Sequence, residues 1–136
     1  MSKFSAFNFA LFFALIFSAC STTNSDDDCI CTDEFRSEYV FILDSEGVPL
    51  DSLQTLMINE TTGDTLANNN GAFVYERGMY WLIDDNYVKD LTTAPQTFIF
   101  TAENGATSVG AVYQFATDNC KCHIEKVSGP DTLRIK

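Results

Sequence analysis

Apolar and polar positions divide the chain into three regimes. The first is an apolar run over 7–17, preceded by Lys3 and closed by Ser18, with almost no polar face. A membrane-spanning helix needs about 20 such residues, so this run has the length of a signal-peptide core instead. The second regime, 21–28, reads Ser-Thr-Thr-Asn-Ser-Asp-Asp-Asp and has nothing to bury, which predicts a solvated tether. From Tyr39 onward, short segments rich in β-branched and aromatic residues are separated by Gly, Asn, Asp and Pro. This pattern predicts strands over 39–44, 53–59, 72–75, 80–83, 96–102, 110–116, 121–127 and 132–135. Alternation is clearest in Thr97-Phe98-Ile99-Phe100 and Val112-Tyr113-Gln114-Phe115. A helical turn is predicted between Asp84 and Leu91, and no segment sustains a helical period.

Several short strands spaced by turns imply an all-β fold, an antiparallel β-sandwich of about seven to eight strands, with a β-barrel as the alternative. Removing 1–19 from 136 residues leaves 136 − 19 = 117, a size that suits one domain with a single core over 29–136. An apolar fraction of 46% with twelve phenylalanines supports such a core. The formal net charge is −11, and loss of Lys3 with the leading segment makes it −11 − 1 = −12. That field repels phosphate backbones and anionic headgroups, so no nucleic-acid partner is expected and membrane attachment must come from something other than a basic surface.

Phe17-Ser18-Ala19-Cys20 resembles the lipobox of bacterial lipoproteins, in which small residues precede a cysteine that receives a diacylglyceryl group before cleavage. The resemblance implies a signal peptide over 1–19, a lipid on Cys20 and an acidic tether over 20–28. Its membrane partner is reached through that lipid, and more than one acyl chain is what stable anchoring requires. Ser25-Asp26-Asp27-Asp28 is similar to the acidic surface-export signal of lipoproteins from Bacteroidota. It implies an outer-membrane protein displayed at the cell surface, with the periplasmic face as the alternative.

Asp44-Ser45-Glu46-Gly47-Val48-Pro49-Leu50 resembles the first hairpin of carboxypeptidase regulatory-like domains. Asn69-Asn70-Gly71-Ala72-Phe73 and Gly78-Met79-Tyr80-Trp81-Leu82-Ile83 are similar to the later Asn-Gly turn and Gly-x-Tyr strand of the same family. The likeness covers about 38–85 and implies a transthyretin-like, Ig-like sandwich. It implies little about function, because its motifs are general turn chemistry.

With Cys20 assigned to lipid, Cys29-Ile30-Cys31 and Cys120-Lys121-Cys122 remain, an even number for an oxidising compartment. On adjacent strands the four sulfurs would share one face, and two disulfides would clamp the ends of the domain. One bridge closing about 90 residues is worth roughly 4 kcal/mol in the chain-entropy model, and the second adds little. Antiparallel strands imply Cys29 with Cys122 and Cys31 with Cys120, and this is the expected arrangement; parallel strands imply Cys29 with Cys120 and Cys31 with Cys122. Four thiolates, or three plus His123, could instead hold zinc, but Cys-x-Cys is not the usual finger spacing and an exported chain meets oxidants first.

His123, the only histidine, is expected as a partly exposed strand residue, because Gly-x-Ser-x-Gly is absent and the cysteines are expected to be oxidised. Asp84-Asp85-Asn86 with Asp90 lacks the spaced ligands of a calcium loop and is expected as a solvated turn. Asp51-Ser52-Leu53, Asp64-Thr65-Leu66 and Asp131-Thr132-Leu133 resemble the O-glycosylation acceptor motif of Bacteroidota. The expectation is therefore a non-catalytic envelope module without cofactor, binding a surface protein or glycan through exposed aromatics, with Tyr80, Trp81 and Tyr87 as candidates. A zinc protein or hydrolytic envelope enzyme is the alternative, and an enzyme should show a pocket with convergent polar groups.

Overall fold

A computed structural model describes residues 29–66 and 76–135. The segment 1–19, Cys20, the tether up to residue 28, the strand expected over 72–75 and the Asn69-Asn70-Gly71 turn lie outside the described residues. The chain forms β1 (Ser37–Leu43), β2 (Gln54–Asn59), β3 (Thr65–Leu66), β4 (Met79–Asp84), a 3-10 helix (Asp85–Asp90), β5 (Gln96–Glu103), β6 (Ser108–Thr117), β7 (Ile124–Ser128) and β8 (Thr132–Arg134). No described helix is long and apolar enough to cross a membrane.

Two sheets make a β-sandwich, one ordered β4-β1-β8 and the other β3-β2-β5-β6-β7. All pairings are antiparallel except β1 with β8, which run parallel with Ile42 opposite Leu133. The small sheet is therefore mixed, because β8 returns from the other sheet rather than from a hairpin on β1.

Alternation sends one face of each strand into the core. Val40, Ile42, Leu82 and Leu133 face Met57, Phe98, Phe100, Tyr113, Phe115 and Ile124, all buried. Phe98 meets Phe115 edge-on and Phe100 meets Tyr113 likewise, the geometry that ring quadrupoles favour. Opposite Glu38 and Tyr39 the pairing with β4 shifts register, and the extra residue lets consecutive Leu82 and Ile83 both be fully buried.

The hairpin after β1 follows from its sequence. Asp44 Oδ1 accepts from the amides of Glu46 (2.9 Å) and Val48 (2.8 Å), and the chain returns so that the Leu50 amide bonds the Ile42 carbonyl. The Gly-x-Tyr motif locks onto this hairpin. The Tyr80 hydroxyl donates to Leu50 O (2.8 Å) and accepts from Leu53 N (3.2 Å). Burial raises its pKa, outweighing the Leu53 amide, with the Asp51 charge adding to the rise. Gly78 sits at φ 74° against Pro49, where a Cβ would lie 2.8 Å from the Pro49 Cβ.

Cys29 is bonded to Cys120 and Cys31 to Cys122, each with Cα atoms 5.4 Å apart. The two segments run in the same direction, which corrects the expected antiparallel connectivity. Neither Cys-x-Cys lies on a strand. The strand expected over 121–127 begins only at Ile124, because the Asp118 carboxylate accepts from the Cys122 amide (2.8 Å) and Lys121 turns back at φ 55°. This is a turn closed by an Asp side chain, and it overrides the strand composition of its residues.

Two measurements check this fold. Cys29→Ser/Cys120→Ser should leave no free thiol among Cys31 and Cys122 in a thiol titration, whereas Cys29→Ser/Cys122→Ser should leave two; the reverse pattern would restore the antiparallel pairing. Gly78→Ala should cost about 3 kcal/mol in urea unfolding, combining backbone strain with overlap on Pro49. Gly63→Ala, also at positive φ but with nothing within 4 Å, should cost about 1 kcal/mol.

Candidate functional site

Two polar arrangements stand out, joined by the 3-10 helix. At its start, Asp84 caps the helix by accepting from the Asn86 amide, which turns the Asp85 side chain back into the protein. Asp85 Oδ2 accepts from the Arg36 amide (2.8 Å) and from His123 Nδ1 (2.8 Å), while Oδ1 accepts from the Ile124 amide (2.9 Å). The Asp85 amide in turn donates to the Arg36 carbonyl (3.0 Å). With the Nδ1–H donating to the Asp85 carboxylate, His123 Nε2 accepts from the Thr32 hydroxyl at 3.0 Å. Burial pushes the Asp85 carboxyl upward, but the two amides and the imidazole outweigh it and hold the pKa below the ordinary value.

This corrects two expectations. Asp85 belongs to no solvated turn, and His123 is buried at 6% exposure in the bend before β7. Hydroxyl, imidazole and carboxylate stand in the order of a catalytic triad. Here, however, both carboxylate oxygens are occupied by main-chain amides from the terminal segment and β7, and Thr32 follows directly on Cys31. The arrangement fastens 29–36 to the sandwich. Among the described residues no group of three or more Cys, His, Asp or Glu side chains is placed to hold a metal ion.

At the other end of the helix lies a cavity of about 490 Å³. Buried Leu66, Ile83, Leu91 and Phe98 form its depth, and Thr62, Asp64, Thr65, Tyr87 and Asp90 form its mouth. Asn59 completes the lining but is committed to the protein: its amide nitrogen donates to Gln96 (2.8 Å), and its oxygen accepts from the amides of Thr61 and Thr62. The cavity opens where the short β2–β3 edge of the large sheet faces the 3-10 helix.

Of the three aromatic candidates, Tyr87 lines this cavity and Trp81 packs against it, ring centroids 5.9 Å apart. Trp81 lies opposite Tyr39 on β1. Tyr80 belongs elsewhere, since its hydroxyl is spent on the hairpin. Tyr87, Asp90 and the Asp64-Thr65-Leu66 motif stand out in the sequence separately, but nothing local relates them to one another or to Asn59 and Thr62. Comparison with family models, with curated proteins and with solved structures finds no match for the chain.

The depressed Asp85 pKa fixes a sign for pH dependence. Its contribution to stability is complete above the ordinary carboxylate range and is lost as pH falls through the lower, folded-state value. Asp85→Asn should therefore cost about 3 kcal/mol at neutral pH and flatten the acid side of the stability curve measured by urea unfolding from pH 7 to 3. An unchanged acid limb would show that other carboxylates carry it.

Proposed function

We propose that this chain is an exported lipoprotein, anchored to its membrane through lipid on Cys20, that displays the β-sandwich at the cell surface as a non-catalytic binding module. The carrying observation is the pair of disulfides between the Cys29/Cys31 and Cys120/Cys122 segments. Such bridges persist in oxidising compartments and are rare where thiols are kept reduced, so they support the export that the apolar run and lipobox resemblance imply.

The clamp also gives the tether a firm attachment. A chain pulled from residue 28 meets the first bridge at Cys29, so load passes to Cys120 before it reaches β1. Binding is supported by the cavity beside Tyr87, whose volume lies in the range of small-molecule sites, roughly 300–1,000 Å³. The −11 charge argues against nucleic acid and anionic surfaces as partners.

Metabolic labelling with a fatty acid tests the anchoring. The wild-type protein should carry label and fractionate with membranes, and Cys20→Ala should do neither. Equal labelling of both would remove the lipid reading, and protease accessibility on intact cells separates surface display from periplasmic retention.

A further inference from the structure

We infer that the cavity beside Tyr87 takes a small uncharged polyhydroxylated ligand, such as a neutral saccharide unit, a reading that rests on the binding role proposed above and gives it a ligand class. The chemistry of the lining selects by elimination. Among the described residues no lysine or arginine lines the cavity, and two carboxylates do, so an anion would meet repulsion without a counter-charge. A wholly apolar ligand would cover the Asp64 and Asp90 carboxylates without satisfying them, which is costly. Neither carboxylate makes a hydrogen bond or ion pair with any described residue.

An organic cation could donate to those carboxylates and to the oxygens of nearby hydroxyls, but it could accept nothing in return. The mouth also carries the hydroxyls of Thr65 and Tyr87, whose O–H hydrogens an ammonium group, having no acceptor, leaves unpartnered. A sugar hydroxyl donates and accepts at once, so one ring can donate to Asp64 or Asp90 while accepting from Thr65 or Tyr87. The saccharide's C–H face then has an apolar surface to cover, in the Tyr87 ring and the Leu66, Leu91 and Phe98 side chains.

Rigidity favours the same class. Asn59 is fixed by three hydrogen bonds on one wall, and the other wall is a helix tied at Asp85 to two main-chain amides and a histidine. Walls held in this way lose little freedom on binding, which matters for a ligand whose hydroxyls gain only modest net energy on leaving water.

The test uses the mature chain with disulfides intact, made soluble by Cys20→Ala, titrated calorimetrically with maltotriose, cellotriose, mannotriose and diacetylchitobiose, and separately with spermidine and choline. Trp81, the only tryptophan, gives an independent fluorescence readout beside Tyr87. At least one saccharide should bind with an affinity that is insensitive to salt. Tyr87→Ala and Asp64→Asn/Asp90→Asn should each weaken it about tenfold, and Tyr87→Phe should retain most of it. The double Asn variant alters exposed carboxylates only and should melt like the parent, which separates lost binding from lost folding. Absence of saccharide binding, saccharide binding indifferent to these substitutions, or tighter, salt-sensitive binding of spermidine or choline would each overturn the inference. Saccharide binding by a chain whose Cys20 takes no label would instead remove the envelope reading and leave this one standing.

Discussion

The buried carboxylate of Asp85 is the constraint on which the rest of the structure depends. A carboxylate at this depth is tolerated only because every strong donor around it is aimed at it: the Arg36 amide from the terminal segment, the Ile124 amide from β7 and the His123 ring. These donors come from the large sheet and from the segment outside the sheets, while Asp85 itself directly follows β4 of the small sheet. One side chain thus joins the small sheet, the large sheet and the terminal segment. Further along the same border, Lys126 of β7 lies 3.7 Å from Glu38 of β1 and also pairs with Asp131, so ionic contacts continue the seam that Asp85 starts.

The clamp and the site are consequences of this joint. The disulfides hold 29–31 beside 120–122, and the Thr32–His123–Asp85 chain carries that attachment inward to the core. Asp85 also begins the helix that carries Tyr87 and Asp90 to the cavity wall, so the element fixed for stability is the one that positions the binding surface. Sheets supply the area and the joint supplies the geometry. The apolar core alone would allow the helix to slide, because hydrophobic contact is not directional.

Much of the fold was legible because strand alternation is a local property. Phe98, Phe100, Tyr113 and Phe115 announce their inward face two residues at a time, and Asp44 with Gly47 announces the first turn. The two-residue β3 was too short to carry a pattern. The parallel pairing of β8 with β1 depends on where the chain returns, not on any residue within it, and the direction of the Cys-x-Cys segments is hidden for the same reason. The strand expected at 121–123 was lost to Asp118, whose side chain competes for the Cys122 amide. The Asp85 joint was nearly invisible: Asp85 and His123 are 38 residues apart and Thr32 and His123 are 91 apart, so nothing local relates them. Asp85 reads as one acid in an acidic chain until the fold removes it from water.

Amide hydrogen exchange on the oxidised mature protein tests the central role of this carboxylate most directly. Arg36 lies before β1, where an untethered residue would exchange rapidly, whereas Ile124 opens a strand of the large sheet. If Asp85 joins them, both amides should be protected to a similar degree and should lose that protection together as pH falls below the ordinary carboxylate range. An Arg36 amide that exchanges at the rate of an open loop while Ile124 stays protected would contradict the account.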